Sequence, residues 1–317
     1  MQSPVRVEKV SYGGWPNCYQ LSNGIVELVV TTDVGPRVIR FGFVGETNEF
    51  KEFTSMLGKT GGDEWHIYGG HRLWHAPEST PRTYFADNHP VRLEAQSDFV
   101  RVIQPTEPMT GIRKEMDIRV EAGAAHVQVT HRLRNEGCWV VKLAPWALSV
   151  MAPEGTAVLP LPPRGTHPEM LQPVNALTLW AYTDMSDPRW TWGQKYILLR
   201  QDSNARVPQK AGAWVPDGWA AYARHGHLFV KTFQPVPGAS YPDLGCSTEI
   251  FTNAEMLELE TLGPLVELQP DAAVEHVEHW FLFRDVPTPA SDADVETYLL
   301  ARVREALAET RTARGRR

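Results

Sequence analysis

The sequence predicts an all-β chain with one helix at its C-terminal end. Three observations carry that prediction. Apolar and polar residues alternate with a period of two along most of the chain, the alternation is broken by Gly, Pro, Asn and Asp, and a helical period is missing until about residue 291. The 25 prolines and 24 glycines fit many short elements joined by turns.

The elements follow in order. Gly24 to Val30 reads as a strand, Asp33-Val34-Gly35-Pro36 as a turn, and Arg37 to Phe43 as its hairpin partner. Val91–Leu93, Phe99–Ile103, Gly111–Val120 and Ala125–Leu133 continue the alternation, and Asn135-Glu136-Gly137 is a turn. Strands are expected again at Val140–Ser149, Tyr196–Arg200, Trp219–Arg224 and Leu228–Phe233, with His225-Gly226-His227 as a hairpin turn. Ser247–Thr252 and Met256–Leu262 form a further hairpin around Asn253-Ala254, and Val274–Phe283 is the last strong strand. Ser291 is placed to cap a helix whose Val295, Leu299, Leu300 and Val303 lie on one face. Thr60–Pro90 and Pro153–Asn175 read as long loops, the first rich in groups suited to ligand contact.

At 317 residues one domain suffices. The expected layout is a sandwich over 1–288, a helix packed on it over 289–309, and a disordered tail over 310–317. A net charge of −7 argues against nucleic acid as partner. No apolar run is long enough for a membrane helix. Cys18, Cys138 and Cys246 are odd in number and lack metal-like spacing, which fits reduced thiols in the cytoplasm. The 11 tryptophans fit either a large core with aromatic filler or a binding cleft, the second because each indole N–H needs a partner when buried and sugar rings stack on indole faces.

Three constellations could carry chemistry. Tyr68-Gly69-Gly70-His71-Arg72-Leu73-Trp74-His75-Ala76-Pro77-Glu78 joins two imidazoles, a guanidinium, an indole and a carboxylate. His71 and His75 are candidate proton donors, and Arg72, Trp74 and Glu78 candidate ligand contacts. His66, His71 and His75 are not read as a metal site, since Gly69, Gly70 and Pro77 deny them a helical frame. The second runs from Tyr241-Pro242-Asp243-Leu244-Gly245 through Glu249 to Glu258-Leu259-Glu260. Glu258 and Glu260 share one strand face, and Glu249 or Glu260 is a candidate general base if burial raises its pKa. The third, His276-Val277-Glu278-His279, reads as core polarity, with His279 hydrogen-bonded inside. No cofactor fingerprint is found.

Taken in order along the chain, these segments resemble the galactose mutarotase-like superfamily, whose fold is a β-supersandwich. The resemblance rests on Asn23–Val30 with Gly35-Pro36-Arg37-Val38, on Gly69-Gly70-His71-Arg72-Leu73, and on Glu258-Leu259-Glu260-Thr261 followed by Leu268-Gln269-Pro270-Asp271. The Tyr-Pro-Asp-x-Gly and Leu-Glu-Leu-Glu-Thr-Leu-Gly-Pro runs are similar to an uncharacterised bacterial branch, a domain family of unknown function. The resemblance implies an aldose 1-epimerase-like isomerase that moves protons on a sugar with a Glu and a His. It implies a small-molecule carbohydrate as ligand, no cofactor, no metal, and a monomer or homodimer. Glu260 matches the catalytic Glu by local sequence and Glu249 by distance to Pro270. The His does not carry over: after the Asn135 turn this chain has Leu143-Ala144-Pro145-Trp146-Ala147-Leu148. The expected set is therefore Glu249 or Glu260 as base and His71 or His75 as acid. Arg37, Arg72, Trp74, Glu78, Trp146 and Lys231 are expected to hold the substrate. Two further readings stand beside it: a non-catalytic sugar-binding module, and a lyase or hydrolase gripping an acidic sugar through Arg37 and Arg72.

Overall fold

The computed structural model describes residues 5–96 and 98–314. Two antiparallel sheets, one of eleven strands and one of ten, pack face to face. The expected all-β sandwich with one C-terminal helix is what the chain forms.

Each expected hairpin pairs. Val26–Thr31 joins Arg37–Phe43, Thr248–Thr252 joins Leu257–Leu262, and Trp219–Arg224 joins His227–Thr232 around His225-Gly226. Inward-facing residues of both sheets meet in one core. Phe41, Phe50 and Phe229 surround Trp280 at centroid distances of 5.8, 5.5 and 6.1 Å. Such aromatic contacts add about 0.5–1.5 kcal/mol each beyond the area they bury.

The stretch expected as a loop over 60–90 holds a central strand, Gly70–Ala76, every residue of which is buried. It lies between Arg37–Phe43 and Val141–Met151. A strand covered on both faces loses the alternation that marks a half-exposed one, so His71, Arg72 and His75 read as loop chemistry. The two glycines at its start are required. Gly69 and Gly70 have φ of +102° and +71°, and added Cβ atoms would sit 2.0 Å from the Lys51 carbonyl oxygen and 2.3 Å from that of Val38.

Other strands escaped the sequence reading for related reasons. Arg6–Tyr12 pairs with Trp15–Ser22 ahead of the first expected hairpin. Thr156–Pro160 is a buried strand within the proline-rich stretch. Gln209–Ala213 is a fully buried strand of small and polar residues with no apolar period.

Ser291 caps the helix as expected, its hydroxyl accepting from the Asp294 N–H at 3.2 Å. The first turn is followed by a wider one, in which the Leu300 N–H reaches the Val295 carbonyl. Val295, Leu299, Val303 and Ala306 bury against Val158, Leu198, Leu228 and Val230, so the helix covers the outer face of the second sheet. It runs on to Arg314. The expected tail is thus helical over 310–314, and Thr310 is buried with its hydroxyl 2.7 Å from that of Thr232. Residues 315–317 lie outside the described ones. Among the described residues no helix is long and apolar enough to cross a membrane.

Candidate functional site

Five neighbouring strands of the eleven-stranded sheet build the site. In order they are Gly70–Ala76, Val141–Met151, Leu257–Leu262, Thr248–Thr252 and Gln209–Ala213. Strand register decides which side chains share a face. Trp74 stands opposite Trp146, Arg72 opposite Leu148, and Leu148 opposite Glu260. Glu260 stands opposite Glu249, Glu258 opposite Phe251, and Phe251 opposite Lys210. All of these point away from the inter-sheet core. Arg72, Trp74, Trp146, Leu148, Lys210, Phe251 and Glu258 among them line a hollow of about 450 Å³ closed by Trp65, Glu78, Tyr84, Trp180 and Tyr182 from the connecting segments.

Two cations lean over the Glu258 strand from opposite sides. Arg72 pairs with Glu258 at 2.8 Å, with its guanidinium 4.5 Å from the Trp74 ring and 5.6 Å from that of Trp65. Lys210 pairs with Glu249 at 2.8 Å and Glu260 at 3.0 Å, and lies 4.9 Å from the Trp146 ring and 4.6 Å from that of Trp180. The Trp146 indole N–H donates to Glu260 at 2.8 Å. Cation–π contacts of this kind are worth about 0.5–2 kcal/mol, the upper end when water is excluded.

Several polar atoms here have no protein partner. They are Nε and Nη1 of Arg72 and one oxygen of Glu260. Burial pushes Glu249 well above the usual carboxylate range, with Lys210 opposing and Glu260 adding to the rise. Burial likewise raises Glu260. Burial works against the charge on Lys210, but Glu249 and Glu260 outweigh it and lift this ammonium well above its ordinary range. The open Arg72 donors belong to a residue that lines the hollow, and such donors are what a hydroxyl-rich ligand would complete.

The opposite face of the Arg72 strand enters the sandwich interior. His71 Nδ1 lies 2.8 Å from Ser149 Oγ, His71 Nε2 lies 2.6 Å from His131 Nε2, and His131 Nδ1 lies 2.9 Å from the His276 carbonyl. The carbonyl can only accept, so His131 Nδ1 carries the proton. Its Nε2 then accepts from His71 Nε2–H, and the Ser149 hydroxyl donates to His71 Nδ1. Burial holds His71 well below its ordinary pKa, and His131 is lowered too. Beside them Glu278 pairs with Lys231 at 2.9 Å and accepts from the Trp280 indole at 2.7 Å.

His71, His131 and Glu278 place ligand-type atoms within 4.8 Å of one another. The donor set does not suit a dication. The imidazoles already satisfy each other in a neutral chain, and the Lys231 ammonium neutralises the one carboxylate. An added double charge would stay uncompensated in a dry interior.

The expected site residues therefore divide. Arg72, Trp74, Glu78 and Trp146 line the hollow, and Glu249 and Glu260 adjoin it through Lys210. His71, His75 and Lys231 are turned to the interior and cannot touch a ligand in the hollow. Strand alternation dictates this, because 71 and 75 lie on the other face from 72 and 74. His75 faces Glu107, at 3.9 Å, which itself pairs with Lys114 at 2.6 Å. Arg37 stands opposite Arg72 but lies beneath the covering segment, bound to the Ile67 and Gly69 carbonyls and to Asp87. It anchors that segment. Sequence reasoning missed Lys210, Trp65, Tyr84, Trp180 and Tyr182, which lie in short or irregular segments without a period. Glu258 was legible as sharing the face of Glu260 but was not singled out.

No family model and no curated protein matches the sequence. Solved structures do match. A galactose mutarotase-like protein from Lactobacillus casei superposes with a TM-score of 0.54 at 10% identity, covering 84% of this chain and 100% of that one. A candidate aldose 1-epimerase from Escherichia coli K12 gives 0.55 at 12%, covering 84% and 99%. A galactose mutarotase related enzyme from Lactobacillus acidophilus gives 0.53 at 7%, covering 86% and 99%.

Proposed function

We propose, from the galactose mutarotase-like fold that this chain carries, that the hollow binds a free sugar and that the protein interconverts its anomers. The observation that carries this reading is Glu258. It lines the hollow, and Arg72 holds only one of its carboxyl oxygens. The second oxygen is placed to accept the proton of an anomeric hydroxyl. Arg72 and Lys210 supply donors to the remaining oxygens of the ring, and the indole and phenol rings shape an apolar wall for its C–H faces.

No histidine lines the hollow among the described residues. The base is therefore assigned to Glu258 in place of Glu249 or Glu260, and no role is left for His71 or His75. Exchange spectroscopy on a panel of free aldoses tests the reading. Anomer exchange above the spontaneous rate is expected, falling by about 100-fold in Glu258→Gln. Binding without exchange would leave a sugar-binding module, and no binding at all would remove the sugar site.

A further inference from the structure

We infer that Lys210 is the general acid of this site and that Glu249 keeps it supplied with a proton, an assignment that rests on the anomer-exchange reading above. Three observations lead to it. Glu249 and Glu260 are directly opposed on neighbouring strands and both are fully buried. One ammonium, that of Lys210, lies between them at 2.8 and 3.0 Å. Gly212, opposite Glu249, leaves room for that carboxyl: a Cβ there would come within 2.9 Å of Glu249 Cγ and 2.7 Å of Cys246 Sγ.

Charge then decides protonation. Two buried carboxylates with one ammonium leave a negative charge uncompensated, and a buried site avoids that by keeping one proton. The other groups facing Glu249 do not supply the missing positive charge. Asp243 is acidic, Cys246 is a buried thiol, and Arg72 is spent on Glu258. Glu260 accepts from both Lys210 and Trp146, which favours its charged form. Glu249 has only Lys210 and is the member left holding the proton. The upward shift of Glu249 agrees with this.

Lys210 lines the hollow together with Glu258, so acid and base face one cavity. In ring opening, Glu258 takes the proton of the anomeric hydroxyl and its oxygen forms the carbonyl. The bond from the anomeric carbon to the ring oxygen breaks, its electron pair going to that oxygen. The ring oxygen takes a proton from Lys210 Nζ, and Lys210 takes the proton of Glu249. The products are an open-chain aldehyde, a neutral Glu258, a charged Lys210 and a charged Glu249, so protons and charge balance. Closure on the other face of the carbonyl reverses each transfer. The relay lets an ammonium held above its ordinary pKa act as an acid, since it need not persist as a free amine. Glu249 touches no substrate and is a positioning and proton-holding residue.

The test compares wild type with Glu249→Gln, which keeps shape and removes the transferable proton. Expected are an unchanged sugar affinity, a kcat lower by about 100-fold, and loss of the alkaline limb of the pH profile. Infrared difference spectra of the wild type should also show a protonated carboxyl at pH 7 that disappears in the variant. An active wild type whose Glu249→Gln variant keeps its kcat and pH profile overturns the inference and leaves the anomer-exchange reading intact. An inactive wild type overturns both. Absence of the infrared band overturns the inference whatever the activity.

Discussion

The two faces of the Arg72 strand show how buried polarity differs between a scaffold and a site. On the inner face, Ser149, His71, His131 and the His276 carbonyl form a chain in which each atom has its partner. Glu278 and Lys231 neutralise each other beside it. On the outer face the same strand presents Arg72 with two unpartnered nitrogens, and two strands along Glu260 has an oxygen without a partner. The inner face also leaves the two His75 ring nitrogens without a hydrogen bond, but only the outer one sets its open Arg72 donors at a hollow, and that makes it the candidate place for a ligand.

The largest effect expected from this contrast is on the inner face. Lys231→Met leaves Glu278 charged and buried with its counter-ion gone, which costs about 3–5 kcal/mol. Urea unfolding measures it, and a loss under 1 kcal/mol would mean that the Glu278–Lys231 pair is not holding the interior.

The second effect separates the faces by pH. On the inner face burial lowers His276 to about 3, and His71 and His131 are lowered too. Their unfolded pKa is about 6.5. Above that value neither state binds the proton, and their contribution is fully present. As pH falls from 6.5 toward 4 the unfolded chain binds more protons, and stability drops by up to about 1.4 kcal/mol per unit for each His. Glu249 and Glu260 have the opposite sign. Their folded pKa values are raised, so above about 4.5 the folded state holds more protons and stability drops as pH rises. Unfolding midpoints measured in wild type and Glu249→Gln should show the same acid-side loss, with less alkaline loss in the variant. An identical alkaline slope would contradict a raised Glu249.

A smaller effect is expected at Ser149→Ala, which removes the hydroxyl donated to His71. The cost is about 1 kcal/mol, at the low end for an orphaned buried acceptor, and sugar affinity should not change. A loss of sugar binding here would show that the two faces are coupled.

Much of this architecture was legible from the chain. Half-exposed strands announced themselves by alternation, and so did the Ser291 cap and the Val295–Leu299–Val303 stripe. Two strands buried on both faces did not. Gly70–Ala76 and Gln209–Ala213 carry polar and small residues where a core strand is expected to be aliphatic, so the sequence reads as loop. The candidate site was half legible for the same reason. Arg72, Trp74 and Trp146 stood out by type, and Glu258 with Glu260 by alternation. Assigning His71 and His75 to the ligand ignored the period of two once 71–75 proved to be a strand. Lys210 could be found only through the fold, because its partners lie 39 and 50 residues away.

The central claim is that the ligand lies in the hollow on the outer face. A crystal structure of the chain soaked with a free aldose tests it most directly. The account predicts one sugar ring within hydrogen-bond reach of Glu258, Arg72 and Lys210 and against the Trp74 or Trp146 side of the cavity. A sugar bound at any other surface, with this hollow filled only by water at saturating concentration, would contradict it.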